Sequence, residues 1–210
     1  MTGKDAPDLD IAYAVRTPED SRRVYAEWAA TYDTDFAARM SYRLPGLVAQ
    51  AYAMAGGTGP VLDAGAGTGL LGLALAARGI DPVDGIDLSP EMLEVARAKG
   101  CYRRLCVADL TRPLPRLDAP YAGIVSSGTF THGHVDARAL APLIEICASG
   151  GIVAFSVNTG VWDSGGFAGA LAALGPQLAE VTLSDQDIYA DAPDPAHRAD
   201  RARIVTLRLA

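Results

Sequence analysis

Between Val61 and Leu70 an apolar run ends in an acid and then passes through three alternating glycines, Val61-Leu62-Asp63-Ala64-Gly65-Ala66-Gly67-Thr68-Gly69-Leu70. Glycine admits positive φ and has no side chain, so the stretch reads as a buried strand leading through bare backbone into a helix. In parallel sheets such loops lie at the carboxyl ends of strands, where a ligand can rest against main chain. The residues that follow keep the same rhythm. Strands are expected at Pro60–Ala64, Pro82–Asp87, Arg104–Val107, Ala122–Ser126 and Gly151–Val157, with helices at Gly69–Arg78, Pro90–Lys99 and Asp136–Ala148 between them. Strand and helix alternating at this pace predict an α/β fold, a Rossmann-like doubly wound, mostly parallel sheet of seven strands. Phe167–Leu178 reads as a further helix, and Val181–Tyr189 with Arg203–Leu209 as an antiparallel hairpin at the sheet edge.

Ahead of the glycines, residues 1–59 read as an N-terminal helical cap to the same domain, with residues 60–210 forming its ligand-binding part. Thr17-Pro18-Glu19-Asp20 has the form of a helix start, and Val24, Trp28 and Tyr32 then recur every four residues. A second helix, about Tyr42 to Ala55, ends at Gly56-Gly57-Thr58-Gly59.

The chain has 210 residues, half of them hydrophobic, and a formal charge of −7. A single domain of that size needs no disulfide or metal to hold a core. Its acidic balance gives no general attraction to phosphate backbones or anionic lipid, so nucleic acid is not expected as a partner, nor is a membrane. Cys101, Cys106 and Cys147 fit neither a metal nor a disulfide spacing. The start, Met1-Thr2-Gly3-Lys4-Asp5-Ala6-Pro7-Asp8, lacks the basic and apolar regions of an export signal. Together these predict a cytoplasmic protein.

Two further acids fall at expected strand tips. Asp87, in Gly85-Ile86-Asp87-Leu88-Ser89, lies 20 residues beyond Gly67, a spacing suited to a carboxylate that accepts from ribose hydroxyls. Ser89-Pro90-Glu91 already supplies the next helix start, which leaves Asp87 free for a ligand. Asp109, in Ala108-Asp109-Leu110, is placed either to accept from an adenine amine while Leu110 covers the ring, or to be solvated in its loop. Gly67-Thr68-Gly69-Leu70-Leu71-Gly72 spells the dinucleotide fingerprint, but Asp63 precedes the loop and would set negative charge beside a diphosphate. An acid there suits a ligand carrying a cationic amino group, as the methionine half of S-adenosylmethionine does.

Through Asp63-Ala64-Gly65-Ala66-Gly67-Thr68-Gly69, Gly85-Ile86-Asp87-Leu88-Ser89 and Ala108-Asp109-Leu110, the sequence resembles the class I S-adenosylmethionine-dependent methyltransferases over about residues 20 to 160. Tyr121–Val135, Trp28–Asp33 and Tyr42-Arg43-Leu44-Pro45 resemble the methyltransferase-like proteins named for the Williams-Beuren deletion region. The resemblance implies S-adenosylmethionine as cofactor, held by Asp63, Gly65, Ala66, Gly67 and Gly69, by Asp87 and Leu88 at the ribose, and by Asp109 and Leu110 at the adenine. Ser126 would lie beside the methionine end.

An in-line methyl transfer asks the protein mainly to hold an acceptor at about 3 to 3.5 Å with water excluded. The acceptor is expected to be a small molecule or an exposed protein side chain. Should it need to lose a proton, His132 and His134 are the catalytic candidates, although both could instead shape their loop. They lack a third partner for zinc, and no metal is expected. Trp28 and Tyr32 either belong to the core or close the pocket over the sulfonium. Arg43 either pairs with the cofactor carboxylate or lies on the surface.

Overall fold

The computed structural model describes residues 17–133, 135–190 and 199–210. Two helices, α1 (Pro18–Trp28) and α2 (Leu44–Met54), precede β1 (Val61–Ala64), α3 (Leu70–Ala76), β2 (Val83–Asp87), α4 (Pro90–Ala98), β3 (Arg104–Val107) and β4 (Tyr121–Phe130). The chain continues through α5 (Leu140–Glu145), β5 (Cys147–Asn158), α6 (Phe167–Leu174), β6 (Leu178–Asp187) and β7 (Arg201–Leu209). The strands form one sheet in the order β3-β2-β1-β4-β5-β7-β6. β1 to β5 pair in parallel, and β7 lies antiparallel between β5 and β6. The order reverses between β1 and β4, the switch point at which ligands enter sheets of this kind.

Alternation along β1 divides the core. Val61 and its neighbours on one face pack with α2 and α3 through Val48, Tyr52, Leu71 and Leu75, while Leu62 and Ala64 face α5 and α6 through Leu140, Leu143 and Phe167. Asp63 shares the Val61 face and is fully buried there. α2 is therefore a layer of the sheet domain, and Phe36, Met40 and Leu44 carry the cap into the same cluster.

The two helices expected ahead of the glycines are present, the second as Leu44–Met54, with a segment between them that the spacing does not announce. Between α1 and α2 the chain makes a π-helical segment, Tyr32–Ala38, and then turns at Ser41, whose φ is 49°. Pro45 supplies the reason for a new start, since it has no N–H to give to a preceding turn. β4 and β5 both run longer than the sequence suggests, and β5 already pairs at Cys147, so the helix expected over Asp136–Ala148 shrinks to a 3₁₀ turn and the short α5. The β4 extension slips register between Ser126 and Phe130.

One polar cluster stitches β2 to β3 and β4. Buried Asp84 accepts from Arg103 Nε at 2.9 Å and Nη2 at 2.6 Å, and from the Tyr121 hydroxyl at 2.9 Å. Burial pushes its carboxyl up, yet the Arg103 and Tyr121 hydrogen bonds outweigh that and hold it below the usual value. Asp84→Ala strands the buried Tyr121 hydroxyl and a half-exposed guanidinium, which should cost about 2–3 kcal/mol in urea unfolding. Tyr121→Phe, which keeps the ion pair, should cost less.

Candidate functional site

β1 stops at Ala64, and the next residues cannot continue it because Gly65, Gly67 and Gly69 all take positive φ, 83°, 53° and 91°. Gly65 and Ala66 donate to Ile86 O at 2.8 and 2.9 Å, which ties the loop to the end of β2. A side chain at Gly65 would put its Cβ 2.1 Å from Thr129 Oγ1, so the loop can approach the β4 tip only without one. Gly67 N donates to Asp87 Oδ2 and Ser89 N to Asp87 Oδ1, both at 2.8 Å. The carboxylate is thereby locked in place with acceptor capacity left on each oxygen. Burial raises the Asp87 pKa, opposed by the backbone donors of Ser89, Gly67 and Leu88.

These elements open onto one cleft of about 970 Å³, its open mouth included. Gly65, Ala66 and Gly67 form its floor, and Asp87, Leu88, Asp109 and Leu110 stand along the β2 and β3 tips. Asp109 Oδ1 accepts from Thr111 N at 2.8 Å and from Thr111 Oγ1 at 2.6 Å. Ser127, Gly128 and Thr129 line the β4 end, and Tyr25, Tyr32 and Tyr42 come from the cap. The cap is latched to the glycine loop: Thr68 Oγ1 donates to Asp33 Oδ1 at 2.6 Å, and Lys99 Nζ lies 2.6 Å from Asp33 Oδ2 while also donating to Thr68 O.

Of the residues singled out in the sequence, Gly65, Ala66, Gly67, Asp87, Leu88, Asp109, Leu110 and Tyr32 come together around this cleft. Others do not. Asp63 lies behind the floor, where its Oδ2 accepts from the Tyr102 hydroxyl at 2.7 Å; burial pushes its carboxyl up to about 7. Gly69 caps α3, packed against Tyr102 and Ala96. Ser126 is buried and donates to Ala64 O at 2.6 Å, bracing the loop from beneath. Trp28, 5% exposed, packs on Val24 and makes an edge contact with Tyr25. Arg43 lines a groove between α2 and the β6–β7 pair, away from the cleft. The His132 ring lies over Gly160 beyond β5, outside the cleft lining, and His134 falls outside the described residues. Tyr25, Tyr42, Thr68 and Asp33 were not singled out as site residues, although Asp33, Tyr42 and Thr68 fall within the stretches that carry the resemblance and Tyr25 is a second ring three residues before Trp28.

Comparison with known proteins bears on this geometry. The family described as "Methyltransferase domain" matches residues 61–151, from the start of β1 into β5. The chain is 34% identical over 140 residues to human "Methyltransferase-like protein 27", a match spanning 64% of this chain and 56% of that protein. Residues 61–151 are thus similar to a methyltransferase domain.

The match thus spans little more than half the length of that curated relative. In fold, the chain is similar to a putative methyltransferase in complex with the Trm112 methyltransferase activator of Haloferax volcanii (TM-score 0.64, 21% identity, 88% of this chain and 96% of that one). It is also similar to a TehB-like methyltransferase of Corynebacterium glutamicum (TM-score 0.63, 21% identity, 90% and 100%) and to the "DhpI-SAM-HEP complex" (TM-score 0.63, 19% identity, 90% and 96%). Among the described residues no helix is long and apolar enough to cross a membrane.

Proposed function

We propose that the protein transfers the methyl group of S-adenosylmethionine by in-line displacement to a small-molecule acceptor. One observation carries the reading: the cleft over the glycine loop is bordered by Tyr25, Tyr32 and Tyr42 of the cap, and a smaller, partly open pocket beside it shares these three rings and Gly128. An acceptor reaching the loop past those rings suits a small molecule better than a folded surface.

The residues present suit the cofactor. Bare backbone at Gly65 and Gly67 leaves room for a ligand, and nothing lies within 4 Å of where a Cβ at Gly67 would stand. Asp87, fixed by two backbone donors, accepts from ribose hydroxyls, and Asp109 with Leu110 bounds the adenine. Asp87 takes the Gly67 N–H that a phosphate would need, which disfavours a diphosphate at the loop. S-adenosylmethionine, when bound, supplies an electrophilic methyl group on a sulfonium. The faces of Tyr25 and Tyr32 shield that end of the cleft from water and favour positive charge beside them. Asp33, Lys99 and Thr68 hold the cap that carries those rings. Acceptor binding then becomes a problem of placement, worth several orders of magnitude in rate.

Calorimetry should show S-adenosylmethionine and S-adenosylhomocysteine binding at one site per chain, with no heat from nicotinamide dinucleotides. Incubation with labelled S-adenosylmethionine and a cell extract should then move label into the low-molecular-weight fraction. Label confined to protein would transfer the proposal to a side-chain acceptor. Tight binding with no transfer at all would make the chain a cofactor-binding module.

A further inference from the structure

One carboxylate joins the cap to the glycine loop. Asp33 directly follows Tyr32 at the start of the π-helical segment, and its two oxygens are shared out: Oδ1 accepts from Thr68 Oγ1 at 2.6 Å, and Oδ2 lies 2.6 Å from Lys99 Nζ. The same ammonium donates to Thr68 O. Cap, loop and the C-terminal end of α4 therefore meet in a closed ring of three residues. Thr68 is 2% exposed, and the Lys99 and Asp33 side chains are 15% and 31% exposed, so solvent ions screen this ring less than they screen a surface pair.

Thr68 stands between two residues with tasks of their own. Gly67 donates to Asp87 Oδ2 at 2.8 Å, and Gly69 caps α3. An unbroken path thus runs from the Tyr32 ring through Asp33, Thr68 and Gly67 to Asp87, tying a ring of the cleft wall to the carboxylate at the β2 tip. On its other side the Tyr32 ring lies against Phe36, with centroids 4.9 Å apart, and Phe36 belongs to the sheet core. Among the described residues, Val24 and Trp28 of α1 pack in a small cluster of their own with Tyr25 and Tyr32. The clasp and Phe36 therefore fix where Tyr32 stands. Placement matters because a ring attracts a cation only over its face and within about 6 Å of its centre.

We propose that Asp33 is a positioning residue: by clasping Thr68 and Lys99 it holds the Tyr32 ring at the sulfonium end of the cleft, and so raises the affinity for S-adenosylmethionine relative to that for the neutral sulfide, S-adenosylhomocysteine. The inference rests on the cofactor reading above. It bears on turnover, because the two ligands differ only by one methyl group and one positive charge, and the spent one must leave before the next donor enters. A ring held where the charge lies favours the donor and gives nothing comparable to the product.

Calorimetry of the full chain with each ligand in turn gives the ratio of the two affinities. Asp33→Asn and Lys99→Met should each shift that ratio away from S-adenosylmethionine, by about threefold to tenfold. Their agreement in sign is the deciding readout. The two side chains carry opposite charges, so if they acted on the sulfonium through their fields alone, loss of the anion would lower the ratio and loss of the cation would raise it. Tyr32→Leu should lower the ratio as far, and Tyr32→Phe, which keeps the ring, should preserve it. Adding Asp33→Asn to Tyr32→Leu should lower it no further, since both act through one ring. Opposite signs for Asp33→Asn and Lys99→Met would overturn the inference. So would a fall in both affinities at an unchanged ratio, the signature of a loosened loop. If Asp33→Asn does not fold, Lys99→Met and the two Tyr32 variants put the same question. No binding of either ligand by the unaltered chain removes the cofactor reading itself, whereas binding with a ratio that none of these variants moves removes the clasp alone.

Discussion

Asp87→Ala is expected to weaken S-adenosylmethionine binding by at least about 100-fold, since hydrogen bonds from ribose hydroxyls to a carboxylate are worth about 1.5–3 kcal/mol each. The carboxylate has a second task that makes its loss more severe. It holds Gly67 N and Ser89 N at 2.8 Å, so its removal frees the glycine loop as well as the ribose. Asp87→Asn separates the two effects. The amide keeps one acceptor oxygen but cannot accept from both backbone groups and both hydroxyls, so its affinity should fall between those of the parent and the alanine variant. Calorimetry measures the loss, and a thermal unfolding midpoint near the parent's would show that the sheet remains intact. The raised pKa adds a sign. Because burial favours the protonated form, acidification neutralises Asp87 at a higher pH than an exposed aspartate, and affinity should decline correspondingly early on the acid side. Retained tight binding by Asp87→Ala would remove the ribose assignment.

Asp87 was legible because its position is local: strand, tip acid and helix cap follow one another in sequence, and the parallel sheet fixes where each tip points. The same holds for Gly65, Gly67 and Asp109, and for the seven strands, whose alternation and spacing the sheet reproduces. The cap was harder. Helical spacing located Trp28 and Tyr32 on one stripe, but which ring faces the cleft depends on how the π-helical turn at Tyr32–Ala38 aims the segment. Trp28 turns to the core with Val24, while Tyr25 reaches the cleft. Arg43 illustrates the same limit, because Pro45 restarts the helix and sends it toward the β6–β7 side. The latch of Asp33 to Thr68 and Lys99 joins residues 35 and 66 positions apart (68 − 33 and 99 − 33), a pairing that no local spacing encodes. The smaller pocket beside the cleft is of that kind too, since its walls come from the cap, the β4 tip, the end of β5 and the residues after β6.

Asp63 yields the other large effect, on stability. Its Oδ1 is buried without a hydrogen-bond partner and its Oδ2 has only the Tyr102 hydroxyl, so ionisation is poorly compensated and burial lifts the pKa from 3.8 to about 7. A carboxyl whose folded pKa exceeds its unfolded value binds its proton more tightly in the native state. Its contribution to stability is complete below pH 3.8, declines as pH rises, and is gone once pH passes about 7. The shift of about 3 pH units sets an amplitude of about 4 kcal/mol. Urea unfolding of the cofactor-free protein should therefore lose stability between about pH 5 and 7, and Asp63→Asn, which cannot ionise, should lose much less. The difference in slope is the readout, because the amide leaves a buried N–H group unpartnered and so lowers stability by an amount that does not vary with pH. Tyr102→Phe provides the converse. It removes the hydroxyl that lowers the Asp63 pKa, and should move the decline to higher pH. Asp84, Asp136 and Asp185 cannot mimic this pattern, since their pKa values are lowered and each is already ionised through the window, whereas Asp87, raised by burial, adds a decline of the same sign that persists in Asp63→Asn and is subtracted by the comparison. Equal slopes for the parent and Asp63→Asn would mean that the acid behind the loop stays ionised in the fold, with a counter-charge supplied by other means.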